Sequence, residues 1–279
     1  GVTKIGQNTF KGCTSLTSIE IPSSVTEIDA STFIGCTSLT SVVIPSSVTE
    51  IGSSAFRGCT SLTSVVIPEG VTEIARWAFE GCTSLTSIVV EEGNSVYDSR
   101  EGCNAIIETA TGKLIYGCNS TIIPSSVTAI GNSAFYGCTS LTSIEIPSSV
   151  TEIGEHAFAD CTSLTSIVVE EGNSVYDSRE GCNAIIETKT NILIHGCNST
   201  IIPSSVTKIG DHTFYKCKSL TSIVIPSSVT AIGEHAFEDC TSLTSIVIPE
   251  GVTEIGWSAF SGCTSLTSIV IPSSVTEIG

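Results

Sequence analysis

Apolar residues recur along the chain in a pattern that repeats every 23 residues. A representative unit reads V-T-E-I-G-x-x-A-F-x-G-C-T-S-L-T-S-I-V-I-P-S-S. A fixed period of this length indicates a solenoid, because no single unit can bury its apolar face but stacked neighbours can. The pattern therefore predicts one continuous array over residues 1–279. Complete units begin at Val2, Val25, Val48, Val71, Val127, Val150, Val206, Val229 and Val252, and a partial unit begins at Val275.

Rings, prolines and thiols fall in strict columns of this repeat. All nine phenylalanines occupy one column between Phe10 and Phe260, and all nine prolines occupy another between Pro22 and Pro272. Nine of the 13 cysteines form a third column, from Cys13 to Cys263. One bulky ring per unit at a fixed place is how a stacked array builds its core. We interpret the cysteine column as buried thiols that act as small hydrophobic residues.

The local pattern assigns a structure to each part of the unit. Leu16, Ile19 and Ile21 alternate like a short strand with its apolar residues inward, and Pro22 ends that strand. Successive strands should pair as a parallel sheet. Val2–Ile5 marks a second inward-facing segment. Gly6–Gly12 predicts a helical or 3-10 turn on the opposite face, which makes the expected fold class an α/β repeat.

The columns A-F-x-G-C-T-S-L-T-S-I-x-I-P-S-S-V-T-x-I-G resemble the BspA-like (Treponema-type) leucine-rich repeats over essentially the whole chain. The resemblance implies a curved solenoid with strands on its concave face and short turns on its convex face. It also implies an extracellular or cell-surface protein of bacteria or parasitic protists, often linked to adhesion. It names no ligand. Glu91 and Glu170 depart from the pattern at the strand-ending proline, and Lys218 departs from it at the threonine after the cysteine.

Two related inserts, residues 91–123 and 170–202, interrupt the period. Each predicts a β-hairpin, with strand-like segments at 104–108 and 113–117 in the first and a turn between them. A register that pairs Glu108 with Lys113 places two cysteines of each insert opposite one another, at a spacing that a disulfide can bridge. We consider these cross-strand disulfides beside the alternative of buried free thiols. The two candidate pairs are Cys103 with Cys118, and Cys182 with Cys197.

The composition limits the partners and the chemistry. The formal net charge of −17 disfavours nucleic acids and anionic membranes, since both attract basic surfaces. No apolar run approaches the roughly 18 residues of a membrane-spanning helix. We find no nucleophile elbow, phosphate loop or metalloprotease motif, and the serines lie in repeated columns. We therefore expect no enzyme, no cofactor and no metal site. Because the first and last residues fall inside repeats, we interpret the chain as a piece of a longer protein, without its targeting segment.

Two weaker site hypotheses remain open at this stage. His212 and His235 occupy the same column of adjacent units and should stack, as a weak metal or pH-sensitive site or simply as exposed polar residues. The acidic loop from Glu91 to Glu101, with Asn94 and Asp98, could supply oxygen ligands to calcium, although its spacing does not match an EF-hand.

The outward strand positions offer a candidate contact surface on the predicted concave face. This position is mostly valine, flanked by serine and threonine, and Glu20 and Glu145 are the exceptions. Exposed apolar rows mark interaction surfaces, although valine here also suits an ordinary half-exposed sheet. Two functions follow: a non-catalytic protein-binding or adhesion module with a protein or host-surface ligand, or a structural spacer or consensus-like scaffold. The outward valines are Val43, Val66, Val89, Val168, Val224, Val247 and Val270, and aromatic candidates on the predicted convex turns are Trp77, Trp257, Tyr136 and Tyr215.

Overall fold

The computed structural model describes residues 1–279 and divides into two compact units. Unit 1 comprises residues 1–140 and 152–157, and unit 2 comprises residues 141–151 and 158–279. Each unit is a parallel-strand β-solenoid, in which strands from successive repeats pair in register. The chain contains no long apolar helix of the kind that crosses a bilayer.

Unit 1 contains two series of short strands. The segment that begins each repeat forms a four-stranded parallel sheet in the order β1-β3-β5-β7. The segment before the proline position, which is Glu91 after β8, forms the pairs β2–β4 and β6–β8. The first insert adds a sheet in the order β14-β12-β11-β10-β9. The strands are β1 Lys4–Ile5, β2 Ser18–Glu20, β3 Glu27–Ile28, β4 Ser41–Val43, β5 Glu50–Ile51, β6 Ser64–Ile67, β7 Glu73–Ile74, β8 Ser87–Val90, β9 Tyr97–Asp98, β10 Ile106–Glu108, β11 Lys113–Tyr116, β12 Ala129–Ile130 and β14 Glu152–Ile153.

Unit 2 repeats this arrangement around the second insert. Its main sheet has seven strands in the order β16-β17-β18-β19-β21-β23-β24, and two further parallel pairs are β13–β15 and β20–β22. The strands are β13 Ser143–Ile146, β15 Ser166–Val169, β16 Tyr176–Asp177, β17 Ala184–Glu187, β18 Ile192–Gly196, β19 Lys208–Ile209, β20 Ser222–Val224, β21 Ala231–Ile232, β22 Ser245–Val247, β23 Glu254–Ile255 and β24 Glu277–Ile278.

The core of each unit is built from the predicted columns. In unit 1 the rings of Phe33 and Phe56 are fully buried and stack with centroids 5.2 Å apart, and the same stacking continues to Phe10 and to Phe79. In unit 2 the rings of Phe214 and Phe237 stack at 5.0 Å. Rings stacked at such distances bury a large apolar area in each repeat.

Most cysteines of the repeat column are buried, and their thiols also donate hydrogen bonds. The Sγ atom of Cys59 lies 3.2 Å from the carbonyl oxygen of Phe33, and that of Cys240 lies 3.1 Å from the carbonyl oxygen of Phe214. The acceptor belongs in each case to the preceding repeat. The thiol column therefore ties neighbouring repeats together besides filling space between them.

The prediction of helical turns is wrong. The segments after each initial strand contain turns but no helix, so the α/β description does not hold. Within one turn, Lys11 donates to Asn8, whereas Phe10 donates to Thr32 and Gly12 donates to Ile34 in the next repeat. These cross-repeat bonds take donors that a helix would use internally.

Left-handed residues also prevent a helix in these turns. Two columns adopt positive φ, represented by Asn8 at 60° and Gly12 at 70°. A left-handed residue interrupts a right-handed helix, and glycine adopts that conformation without strain. The only 3-10 segments lie in the inserts, at Arg100–Gly102 and Arg179–Gly181, and both contain a residue with non-helical angles.

The hairpins in the inserts are confirmed, with a correction to their register. Glu108 pairs with Lys113 as predicted, but a bulge follows, so that Ile106 lies opposite Tyr116 rather than Ile115. The same irregularity separates Ile185 from Ile186 in the second insert. Each hairpin also pairs with a third strand, β9 or β16, that the pattern did not predict. Residues 121–123, which follow the hairpin and align with the strand segment of a regular repeat, form no strand.

Candidate binding surfaces

Side chains of the strands at the proline end of each repeat alternate between buried and exposed positions. We call the exposed positions of these strands together the outward strand face. Its seven predicted valines are all exposed, with exposed fractions between 44% and 83%. Parallel register places them side by side, as in the pairs Val66 with Val89 and Val224 with Val247. Adjacent strands are about 4.8 Å apart, so such neighbours form a continuous apolar row.

Two exposed isoleucines extend this outward face and were missed from the sequence. Ile122 is 77% exposed and Ile201 is 72% exposed, and each lies two residues before a proline, as five of the seven valines do. The proline was the signal that could have found them, because S-T-I-I-P aligns with S-I-V-I-P. The outward face therefore runs past the inserts in sequence, and Glu20 and Glu145 are its charged positions.

The four aromatic residues proposed for the turns lie in different environments. Trp77 is 46% exposed and Trp257 is 59% exposed, whereas Tyr136 and Tyr215 are half-buried. Trp77 belongs to the left-handed column, with φ at 63°, where Asn8 stands in the first repeat. A bulky side chain is an outlier in that conformation.

Imidazole and indole rings form a cluster in unit 2. His212 and His235 stack as expected, with ring centroids 4.8 Å apart, and Trp257 meets His235 edge-on at 4.8 Å. The Nδ1 atom of His235 is hydrogen-bonded to the carboxylate of Glu238. Tyr215 packs edge-on against His212. These rings pack against one another, and no group of three or more potential metal ligands converges anywhere in the chain.

A cleft of about 440 Å³ opens in unit 1 beside the first insert. It lies between the turn that follows β7 and the turn that follows β12. The two turns touch at one end, where Gly137 approaches the Cα of Gly81. At the other end of the cleft, strand β11 of the insert lies between the two turns. The insert itself has no turn of this kind, so the space between the two turns stays open. Residues that line the cleft are Ile74, Arg76, Trp77, Glu80, Glu108, Lys113, Ile115, Tyr116, Gly131, Asn132, Ser133, Glu155 and His156.

Tyr116 forms the floor of this cleft and replaces backbone bonds that a regular repeat would supply. Its hydroxyl accepts a hydrogen bond from the backbone N–H of Ala78 at 2.9 Å and donates one to the carbonyl of Ala75 at 2.9 Å. Burial raises the pKa of this hydroxyl well above its usual value. The ring meets Phe79 edge-on, and Gly117 follows it because a Cβ there would overlap the ring of Phe135.

The four insert cysteines are buried free thiols in the structure. The bulge at Ile106 shifts the regular register from which the pairing of Cys103 with Cys118 was predicted. The thiol of Cys118 lies 3.3 Å from the carbonyl of Asn104. Burial raises the pKa values of Cys103 and Cys182 to about 11. The two candidate disulfides, Cys103 with Cys118 and Cys182 with Cys197, stay a prediction.

The acidic loop of the first insert uses its polar groups internally. The amide oxygen of Asn94 accepts the backbone N–H groups of Val96 and Tyr97, and its nitrogen donates to the carbonyls of Pro68 and Val71. Asp98 holds the guanidinium of Arg100. Partial burial alone would raise the pKa of Asp98. The pKa is nevertheless lowered, because Arg100 and Thr109 donate hydrogen bonds to its carboxylate. The carboxylate of Glu91 also accepts the backbone N–H of Glu69. Three of the proposed calcium ligands, Glu91, Asn94 and Asp98, are therefore already engaged.

Parallel strands stack once per repeat, and most of those before the proline position are preceded by a buried leucine, such as Leu39, Leu62 and Leu243. These features define a leucine-rich-repeat protein. A model of the BspA type leucine rich repeat region matches residues 1–104, 114–192 and 193–279, with six copies. The chain belongs to this family.

Solved structures of bacterial proteins share the fold. A leucine rich cell surface protein from Faecalibacterium prausnitzii is 34% identical with a TM-score of 0.63, over 99% of this chain and 73% of that chain. A leucine-rich repeat protein from Eubacterium ventriosum is 22% identical with a TM-score of 0.56, over 99% and 83% of the two chains. The pneumococcal vaccine antigen PcpA is 21% identical with a TM-score of 0.56, over 99% and 65%. No curated protein matches the chain.

Proposed function

We propose that this chain is a non-catalytic protein-binding module, displayed at the cell surface or secreted, that adheres through its outward strand face to a protein on a host surface. The observation on which this proposal depends is the row of exposed valines, in which Val66 and Val89 are direct neighbours. Exposed apolar rows of this kind are costly to leave in water and mark interaction surfaces. The 34% identical bacterial protein described as a cell surface protein supports the location.

The chemistry around the valines supports a protein partner. The neighbouring outward positions carry serine and threonine, represented by Ser64 and Ser87, so the strand face is nearly uncharged in a chain of net charge −17. A depletion of charge at the centre with a polar surround is typical of protein interfaces. The charged remainder of the surface would keep nucleic acids and anionic membranes away.

The test replaces Val66 and Val89 together with glutamate and measures binding to a panel of purified host extracellular proteins by surface plasmon resonance. The fold tolerates this change, because Glu20 and Glu145 already occupy the same outward position. A matched control adds the same two charges at exposed turn residues, as Gln7→Glu with Ser261→Glu. We expect the valine variant to lose at least about tenfold in affinity, since burying an unpaired charge is costly. Equal losses in both variants would remove the outward face from the proposal.

A structural spacer is the second candidate function, and the near-identity of the repeats favours it. The outward position is valine in seven repeats, whereas a specific binding face usually needs side chains that differ. If none of the panel proteins binds the unaltered chain, the spacer becomes the better account.

A further inference from the structure

The first insert creates a cleft that a regular repeat does not contain. Three charged side chains that line this cleft make no ion pair and no side-chain hydrogen bond. Arg76 and Lys113 line it, and neither makes an ion pair or a side-chain hydrogen bond. Glu155 is exposed at the opposite wall, and its carboxylate is likewise unpaired. Unpaired donors and an unpaired acceptor therefore converge on one concave space.

The wall at Asn132 adds a fixed amide to this set. Its oxygen accepts the backbone N–H of Glu155 at 3.1 Å, which orients the amide and leaves its nitrogen available. The orientation is thus set by the fold before any ligand arrives, which lowers the entropy cost of binding.

Trp77 supplies an aromatic surface at the mouth of the cleft. The residue is 46% exposed and holds a left-handed backbone conformation, with φ at 63°. The corresponding column elsewhere contains asparagine, serine or histidine, such as Asn8 and Ser54. Strained residues persist only when the surroundings enforce them, and they cluster at functional sites. The indole face is negative, so it attracts the weakly positive C–H groups of a flat apolar ligand face.

We propose that this cleft binds a pyranose residue of a carbohydrate, with the apolar face of the sugar against Trp77. Each sugar hydroxyl both donates and accepts, so it matches the free donors of Arg76 and Lys113 and the free acceptor of Glu155. The volume of about 440 Å³ lies within the usual range of small-ligand pockets. This site is separate from the outward strand face and does not depend on the function proposed for it.

The second insert provides natural substitutions for the test. It carries Ile192 where the first carries Lys113, in the same register beside the following repeat strand. Lys113→Ile should therefore fold while losing one cation of the cleft. In the Asn132 column, Asp211 accepts the backbone N–H of Glu234 in the same way, so Asn132→Asp keeps the structural bond and removes the donor.

The two tryptophans of the chain allow a direct measurement. A Trp257→Phe background leaves Trp77 as the only indole, and its fluorescence is titrated with glucose, N-acetylglucosamine and the methyl glycosides of mannose and galactose. We expect a saturable change with at least one of these sugars. A Trp77→Phe variant, which leaves only Trp257, should give no change, and calorimetry on that variant should show binding weakened at least about fivefold.

The cleft variants decide how the sugar is held. We expect Lys113→Ile and Asn132→Asp each to weaken binding of the responding sugar by about tenfold, with unchanged circular dichroism. Three results would overturn the proposal: no saturable response to any of the four sugars, unchanged affinity in both variants, or an equal response to an acetylated dipeptide used as a non-sugar probe.

Discussion

Phe56 illustrates at the scale of single residues how one column holds neighbouring repeats together. Its ring is fully buried and lies between Phe33 and Phe79, with centroids 5.2 and 5.4 Å away. The column was predicted from the sequence, because a ring recurs at one place in every repeat. The hydrogen bonds of the buried thiols were not predicted, since the acceptor carbonyl lies in the preceding repeat.

We expect Phe56→Ala to lower the free energy of unfolding by about 3–5 kcal/mol, because the cavity opens between two stacked rings. Phe10→Ala is the matched control, since Phe10 is only half-buried and stacks on one neighbour, and its loss should be about half as large. Urea unfolding followed by circular dichroism measures both values. Equal losses at the two positions would show that burial does not set the cost.

Cysteine reactivity should follow burial along the same column. Burial raises the pKa of Cys59 to about 12, whereas Cys13 is exposed. Only the thiolate reacts, and at pH 8 a thiol of that pKa is about one part in 10⁴ ionised. We expect iodoacetamide to modify Cys13 long before Cys59 in the folded protein, as read by peptide mass spectrometry. In urea the two should react alike, and rapid labelling of folded Cys59 would contradict its burial.

At the scale of elements, the strands were predictable and the turns were not. The alternation at Ile19 and Ile21 identified the strands before each proline, because alternation reflects burial on one side only. The helix expected at Gly6–Gly12 failed because the deciding hydrogen bonds reach the next repeat, which local spacing does not encode. The bulge at Ile106 is similar, since it depends on how the hairpin meets its neighbours.

Asn94 is the residue on which the first insert depends most clearly. Its side chain makes four hydrogen bonds to backbone groups, and Asn173 repeats all four in the second insert. In Asn94→Asp the two donor bonds become contacts between oxygens that repel one another. We expect a loss of about 2–4 kcal/mol from these unmade bonds, visible as faster amide exchange at Val96 and Tyr97.

The control for this substitution lies in the same loop. Glu92 is exposed and its carboxylate makes no hydrogen bond or ion pair, so Glu92→Gln should leave exchange at these amides unchanged. Slow exchange retained in Asn94→Asp would mean that calcium or another cation compensates the new carboxylate. Repeating the measurement with a chelator separates these two causes.

At the scale of the whole molecule, the sequence could predict the stacked repeats but not the cleft. Periodicity reports what every repeat shares, and it therefore identified the outward valines such as Val66. The cleft arises because one insert lacks the A-F-x-G-C turn, so its walls come from residues 55 positions apart in sequence, such as Trp77 and Asn132. The sequence shows that this turn is missing. The size and shape of the space it leaves depend on where β11 lies, which the sequence does not show.

Buried thiols and phenols distributed over both units make the stability of the protein depend on alkaline pH. Burial raises the pKa values of Cys59, Cys82 and Cys240 in the repeat column, and of Tyr97 and Tyr116 in the first insert. In the unfolded chain these groups release their protons near pH 9 for the thiols and near 10 for the phenols. Their stabilising contribution is therefore complete below about pH 8.5 and is lost as the pH rises toward the folded pKa values.

We expect the free energy of unfolding, measured by urea titration in reductant, to fall steadily between pH 9 and pH 11. The slope is set by the difference in bound protons, because the unfolded state loses protons that the folded state keeps. Cys59→Ala should reduce this slope, because it removes one thiol whose pKa is raised by folding, even though the substitution also lowers the overall stability. Cys13→Ala is the matched control, because its thiol is exposed in the folded protein. A stability that stays flat or rises over this range would mean that the thiols ionise as readily in the folded as in the unfolded protein.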